Sequence, residues 1–188
     1  MMRVQHNATD VWSSTHRAEL NCSFAGIATM LGGGSLEGKT IWIGWKYYAA
    51  SPWEFPDWNV NGQLHGGNNN IMGHTYDDVG TRELVEVEGP AAGQNYRAAV
   101  AAQDPILDAW QDFKIGFAPF STGSGGRTYA YLNDVQIGGS PGLDGPNLFT
   151  GFEDAPFLKL GIYRSGNTVD LTVYYANVRM AATLGGLG

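Results

Sequence analysis

Short segments in which apolar and polar residues alternate recur along the chain, and they are separated by turns rich in Gly, Asn and Pro. The segments fall at 16–24, 39–49, 60–66, 82–89, 96–102, 110–120, 127–139, 157–164 and 169–182. A repeat of two residues is typical of strands with one buried face. Many short strands at regular spacing predict an all-β fold, an antiparallel sandwich or barrel with little helix.

The residues between the segments support the same interpretation. Stretches such as "LGGGSLEG", "GGNNNIMGH" and "GGSPGLDGPN" are predicted to be turns. Asn133 and Asp134 predict a tight hairpin turn. The segment "DPILDAW" is predicted to hold one helical turn, and the tail "AATLGGLG" to be flexible. Neither an internal repeat nor a linker divides residues 1–188, so a single domain is expected.

The charge restricts the possible partners. The net charge is −7, which argues against nucleic acid because a nucleic-acid binder needs a basic surface. An acidic polymer can bind only through a local cationic groove. No stretch is long and apolar enough to cross a membrane, and the single Cys22 excludes an internal disulfide.

One strand combines an apolar face with an unusual opposite face. In "FLKLGIYR", Leu158, Leu160, Ile162 and Arg164 point one way, and Lys159, Gly161 and Tyr163 point the other. A cation and a phenol separated by a bare glycine indicate the floor of a groove. Taken alone, a tyrosine in such a place is more often an amphipathic sheet residue.

The order of motifs resembles that of polysaccharide lyases of the heparinase I and glucuronan lyase type. The resemblance is carried by "HRAEL", "NGQLHG", "FKIGF", "YAYLNDVQI", "GPN", "FLKLGIYR" and "VYYANVRM", from about His16 to Met180. It implies a concanavalin A-like β-jelly roll that cleaves a uronic-acid polysaccharide by β-elimination in a groove on one sheet. Fewer residues than usual precede the Arg motif, so the sheet is expected to lack an edge strand or to recruit a neighbour.

The resemblance also implies site residues. His65 and Tyr163 are expected to be the proton-transfer pair, and Arg17 and Gln63 to neutralise the uronate carboxylate. A planar guanidinium suits a carboxylate because it pairs in a bidentate way. Additional substrate-binding candidates are Lys159, Arg164, Lys46 and Trp45. Without the resemblance, Arg17 would simply pair with Glu19 on the same face, and most of the tryptophans would be core residues.

Cofactors, partners and location follow as expectations. Ala176 occupies the place of an Asp that commonly helps to bind a structural calcium in these lyases, which leaves calcium in doubt; no other cofactor or metal ligand is expected. The stretch "HTYDD" (74–78) fits a solvated loop better than a metal site. The partner is an acidic polysaccharide, with no nucleic acid and no membrane. The location is expected to be extracellular or virion-associated. The first ten residues lack an apolar signal-peptide core, so either export by another route or a processed or phage-type product is expected.

Two other functions remain open from the sequence. A non-catalytic glycan-binding or virion structural jelly roll, decorating a phage or attached to its tail and contacting other virion proteins, uses the same fold, because fold does not fix function. A glycoside hydrolase would need two carboxylates facing each other across the groove. The same-face acidic pairs in "RELVEVEG" lack aromatic neighbours, so this alternative is the weakest.

Overall fold

The computed structural model describes residues 1–6, 16–23, 39–53, 59–66, 69–76, 83–91, 94–103, 106–118, 127–136, 156–164 and 170–188. These residues form twelve strands and one short 3₁₀ helix over Leu184–Leu187. The strands are β1 (Met2–His6), β2 (His16–Ser23), β3 (Ile41–Ala50), β4 (Asn59–Gly66), β5 (Asn69–Tyr76), β6 (Glu83–Ala91), β7 (Gln94–Gln103), β8 (Gln111–Ala118), β9 (Arg127–Leu132), β10 (Val135–Gln136), β11 (Pro156–Arg164) and β12 (Leu171–Ala181).

The strands make two antiparallel sheets of six strands each. Sheet A has the order β1-β12-β3-β8-β9-β10, and sheet B has the order β2-β11-β4-β5-β6-β7. The sheets pack face to face: Trp45 and Phe113 of sheet A and Leu158, Leu160 and Ile162 of sheet B are all almost completely buried. The prediction of an all-β antiparallel sandwich is confirmed.

Each of the predicted strand segments contains a strand, and the hairpin at Asn133-Asp134 is confirmed, with positive φ at both residues as a tight two-residue turn requires. Three predictions, one about a turn, one about a helical turn and one about the tail, are wrong. The Asn-rich stretch predicted as a turn contains β5, which is hydrogen-bonded to a strand on each side, and this pairing overrides the low strand propensity of Asn and Gly. Residues 106–110 contain no helical turn. The tail is anchored, because Leu187 is buried.

The residues before the Arg motif include an edge strand. β1 pairs with β12 over five residues, from Met2 opposite Tyr175 to His6 opposite Leu171. Sheet A therefore has its edge strand within this chain. The expectation that the sheet lacks an edge strand or recruits one from a neighbouring molecule is therefore wrong for sheet A.

His74 lies in the core rather than in a solvated loop. It is part of β5 and is 2% exposed. Its ring stacks on Phe113 at 4.5 Å and meets the edge of Tyr47 at 4.7 Å between ring centroids. The prediction of a loop is wrong for this residue because the pleat of β5 turns it towards sheet A. Asp77 and Asp78 lie outside the described residues.

A β-bulge interrupts the pairing of β4 with β11. Leu160 lies opposite Gly62 and Tyr163 lies opposite Val60, so two residues of β11 face the single residue Asn61. Tyr175, on β12 of sheet A, reaches across the core and donates its hydroxyl to the carbonyl oxygens of Asn61 at 2.5 Å and of Gly161 at 3.1 Å. A bulge leaves ladder groups without their regular partners, and this hydroxyl satisfies two of them.

Removing the Tyr175 hydroxyl should therefore destabilise the fold. In Tyr175→Phe, the ring still fills the core, but two buried carbonyls lose a donor, which costs about 1–3 kcal/mol of the free energy of unfolding. Urea unfolding followed by tryptophan fluorescence measures the change. Tyr174→Phe is the matched control, because within the described part of the chain its hydroxyl makes no hydrogen bond. Equal losses in both variants would contradict this role.

An ion-pair network lies on part of the outer face of sheet A. Lys114 contacts Asp134 at the hairpin and Asp112 at 3.4 Å, and Arg179 contacts Asp112 at 2.7 Å. The hydrogen bond from Lys114 lowers the pKa of Asp134, and the same bond raises the pKa of Lys114. Because the folded-state pKa of Asp134 is lowered, its contribution is present above the ordinary pKa of an Asp and disappears as the pH falls through the lowered value.

Asp134→Asn tests this pH dependence. Asn tolerates the positive φ of the turn, so the variant removes the charge and keeps the hairpin. The wild type should be the more stable protein at about pH 7, and the difference should be smaller at about pH 3, because that pH lies below the ordinary pKa of an Asp, where the contribution of the ion pair begins to be lost. Urea midpoints at the two pH values measure this. A difference that stays constant between them would contradict the ion-pair role of Asp134.

Candidate active site

The pleat of β11 separates a core face from an outer face of sheet B. Leu158, Leu160 and Ile162 are all fully buried against sheet A. A Cβ placed on Gly62, opposite Leu160, would lie 3.3 Å from Trp45 of sheet A, which confirms that this row points into the core. Lys159 and Tyr163 alternate with these residues and therefore belong to the outer face.

The first cluster on this face centres on Lys159. It lies directly between Asn21 of β2 and Gln63 of β4. Lys159 is 8% exposed and Gln63 is 5% exposed, so both lie at the floor of the face. The Gln63 Oε1 atom is buried and has no hydrogen-bond partner within the described part of the chain. A buried acceptor in this state is suited to a hydroxyl donor from a ligand.

The second cluster pairs Tyr163 with Arg17. The two residues are direct cross-strand neighbours on β11 and β2. Directly opposite residues on one face have Cβ atoms about 4.5–5.5 Å apart. Tyr163 is half-buried. The register thus places the phenol of Tyr163 beside the backbone position of Arg17. This pair lies about 13 Å along β11 from Lys159.

His65 lies at the opposite end from Tyr163. It is opposite Phe157 on β11, whereas Tyr163 is opposite Val60. Six residues of β11 separate Phe157 from Tyr163, which corresponds to about 20 Å of strand. The register therefore joins His65 with Gln63 and Lys159, and it does not bring His65 next to Tyr163.

Three of the predicted substrate-binding residues lie elsewhere. Trp45 is 1% exposed and packs on Phe113 at 4.9 Å between ring centroids, so it is a core residue beneath Gly62. Lys46 is exposed, but it belongs to β3 of sheet A, and the site residues are on sheet B. Arg164 is fully buried on the core face of β11, opposite Asn59. These three assignments to the groove are corrected by the position of each side chain.

Tyr175 supports the site from the core and was not predicted from the sequence. Its signal was present: in "LTVYY" the alternation places Leu171, Val173 and Tyr175 on one face, and all three are buried. A tyrosine in such an apolar row needs a partner for its hydroxyl. The bulge that supplies the partner depends on strand pairing and cannot be seen in the sequence.

Neither a metal cluster nor a membrane-spanning helix is found among the described residues. Within those ranges, no group of three or more His, Cys, Asp and Glu side chains is arranged to hold a metal ion. None of the described helices has the length and apolar character needed to cross a bilayer.

Comparison with known proteins gives the family. The model of a polysaccharide lyase family matches residues 1–179. No curated protein sequence matches the chain. Among solved structures, an endo-β-1,4-glucuronan lyase from the fungus Trichoderma reesei is similar with a TM-score of 0.68 and 13% identity, covering 98% of this chain and 82% of that chain.

Two alginate lyases have the same fold. Alginate lyase A1-II′, a member of polysaccharide lyase family 7, gives a TM-score of 0.64 at 14% identity, covering 96% of this chain and 78% of its own. Alginate lyase vAL-1 from Chlorella virus gives 0.58 at 11% identity, covering 95% and 83%. At these identities the similarity shows a shared jelly-roll fold, and the family model, which spans nearly the whole sequence, shows that the chain belongs to the polysaccharide lyase family.

Proposed function

We propose that the protein cleaves a uronic-acid polysaccharide by β-elimination on the outer face of sheet B. The observation that carries the proposal is the pair of clusters on that face, Lys159 with Gln63 and Arg17 with Tyr163. Family membership supplies the reaction class. The similar solved structures are lyases of β-1,4-glucuronan and of alginate, and both polymers have a carboxylate on every sugar.

A uronate is the sugar that this chemistry requires. Elimination removes the hydrogen on C5, which is acidic only because C5 carries the carboxyl group. Neutralising the carboxylate stabilises the charge that develops when the proton leaves. A guanidinium at Arg17 suits this role, because its planar fork matches a carboxylate. Since the whole protein is acidic, the polymer has to be attracted by such local cations.

Tyr163 is positioned to move the proton. In its phenolate form, Tyr163 takes the C5 proton, the C5–H electron pair forms the C4=C5 double bond, and the C4–O4 bond breaks. The departing O4 then receives the proton from the phenol, so that Tyr163 ends as it began. One residue can do both steps when the hydrogen and the leaving oxygen lie on the same side of the sugar ring. General acid–base catalysis of this kind contributes about 10²–10⁴-fold to the rate.

The other cluster holds the neighbouring sugars. Lys159 offers a cation for a second carboxylate, and the buried acceptor on Gln63 suits a sugar hydroxyl. His65 extends the same end of the face. With about 13 Å between Lys159 and Tyr163, the two clusters would contact different sugars of one chain. We place the reaction where such polymers occur, outside the cell or at a particle surface.

The reaction product distinguishes the lyase from the alternative, a protein that only binds the polysaccharide. A lectin or virion protein with this fold would retain the polymer without releasing an unsaturated sugar. The three similar solved structures described above are all named as lyases. A panel of glucuronan, alginate and sulfated uronans, followed at the ultraviolet band of the C4=C5 product, decides between the two functions.

Tyr163→Phe should abolish product formation while the fold survives. The ring and its packing remain, so the free energy of unfolding should change by about one hydrogen bond, roughly 1 kcal/mol. The rate should fall by about 10²–10⁴-fold. Initial rates at the ultraviolet band measure the loss. Tyr129→Phe, on sheet A, is the matched control and should keep wild-type rates. Full activity of Tyr163→Phe would remove this residue from the reaction.

Arg17→Lys should lower both kcat and kcat/KM, because an ammonium group keeps the charge but cannot make two parallel hydrogen bonds to the carboxylate. The kinetics are measured on the polymer that the panel identifies. Lys159→Arg keeps a cation in the other cluster and is the comparison, with its main effect expected on KM. Unchanged kcat in Arg17→Lys would place the carboxylate-neutralising group elsewhere.

His65→Ala distinguishes a binding role from a proton-transfer role. If His65 contacts a neighbouring sugar, KM should rise several-fold, while kcat at saturating polymer stays within about tenfold of the wild type, a loss of less than about 1.4 kcal/mol in the barrier. A fall in kcat as deep as that of Tyr163→Phe would make His65 a member of the proton-transfer pair, as the family resemblance implies.

A further inference from the structure

The outer face of sheet A, on the opposite side of the sandwich from the candidate active site, carries a row of aromatic residues. Tyr174 lies opposite Arg3 on one side and opposite Tyr48 on the other, so these three residues form one line across β1, β12 and β3. Trp110, just before β8, continues the line. We name Arg3, Tyr174, Tyr48 and Trp110 the aromatic row. With neighbouring strands about 4.8 Å apart, it spans roughly 14 Å.

The rings of the row contact one another and remain accessible. Tyr48 lies 5.7 Å from Trp110 and 5.9 Å from Tyr174 between ring centroids. Trp110 is 44% exposed, and Tyr48 and Tyr174 are half-buried. Trp42, elsewhere on the same face, has an evident structural role, because a Cβ on Gly116 would lie 2.7 Å from its ring and the ring therefore covers the backbone there. An accessible Trp within a line of tyrosines calls for a different explanation.

The row includes one exposed cation and has a second beside it. Arg3 is exposed at the β1 end, and Lys46, two residues before Tyr48 on the same face of β3, is exposed as well. At the other end, Asp108 accepts hydrogen bonds from the Ser51 hydroxyl, from the Ser51 amide at 2.8 Å and from the Tyr48 hydroxyl at 3.4 Å. The bonds from Ser51 lower the pKa of Asp108, so this carboxylate stays ionised at neutral pH. An anionic ligand on the row would therefore place its charges towards Arg3 and Lys46.

We propose that the aromatic row, with Lys46, is a second binding site for the acidic polysaccharide, separate from the site of cleavage. Sugar rings present apolar C–H faces that pack on aromatic rings, and the uronate carboxylates pair with Arg3 and Lys46. The substrate class rests on the proposed function. The row holds a long polymer on the enzyme, which raises the local concentration of chain for the groove on sheet B.

Trp110→Ala and Lys46→Glu test the site, with Val135→Ala as the matched control. Val135 is an exposed apolar residue of the same sheet, outside the row. Migration through gels containing glucuronan or alginate measures binding, in a Tyr163→Phe background so that the polymer is not cut. Each test variant should weaken retention by about three- to tenfold, the size of one aromatic or charged contact. Val135→Ala should migrate like its parent.

Kinetics of the single variants give the second readout. With long polymer, Trp110→Ala should raise KM by a similar factor. With an oligosaccharide too short to reach both faces, kcat and KM should stay at wild-type values. Retention and polymer KM that remain unchanged in both test variants would overturn the proposal. A fall in oligomeric state in Trp110→Ala, with unchanged retention, would also overturn it and make the row a contact between copies of the chain.

The two proposals can fail independently. If the wild type releases no unsaturated product from any uronan, the proposed reaction fails, but gel retention still decides whether the row binds an acidic polysaccharide. If the wild type is an active lyase and retention does not depend on Trp110 or Lys46, only the second site fails.

Discussion

The alternation of side chains along β11 determines where everything else in the site can lie. Leu158, Leu160 and Ile162 fill the core against sheet A. A shift of one residue in register would send all three to the outer face and would bury Lys159 against Trp45 and Phe113. Burying an unpaired ammonium group in an apolar core is far more costly than burying a leucine. Hydrophobic burial on one face thus holds the side chains of the candidate site on the other.

The bulge between β4 and β11 adds a second constraint. It lies between the Lys159 cluster and the Tyr163 cluster, and a bulged strand bends more strongly than a regular one. The Tyr175 hydroxyl binds both strands at this point from the opposite sheet. The relative orientation of the two clusters therefore depends on a contact made in the core, and sheet A takes part in shaping the site without contributing a residue to its surface.

The sequence predicted what depends on local pattern and missed what depends on pairing. The faces of β11 and the hairpin at Asn133-Asp134 follow from two-residue alternation and turn chemistry. Trp45 was assigned to sugar binding because core and sugar-binding tryptophans have the same pattern in a strand, and only the partner sheet distinguishes them. Likewise, the order of motifs predicted that His65 and Tyr163 act together. The distance between them depends on the register of β4 against β11, which is fixed by contacts between residues distant in sequence.

The acidity of the protein gives these local arrangements their importance. A chain with net charge −7 repels a polyuronate at long range. At physiological ionic strength this repulsion is screened beyond about 8 Å, whereas cations at the floor of a sheet face act at contact distance and are screened much less. Binding then depends on a few close pairs rather than on the overall field. Lys159, which is nearly buried, is such a cation on sheet B. On sheet A the proposed cations, Arg3 and Lys46, are exposed and lie beside aromatic rings. An acidic lyase can therefore hold an acidic polymer wherever cations are set beside apolar or aromatic contact surface.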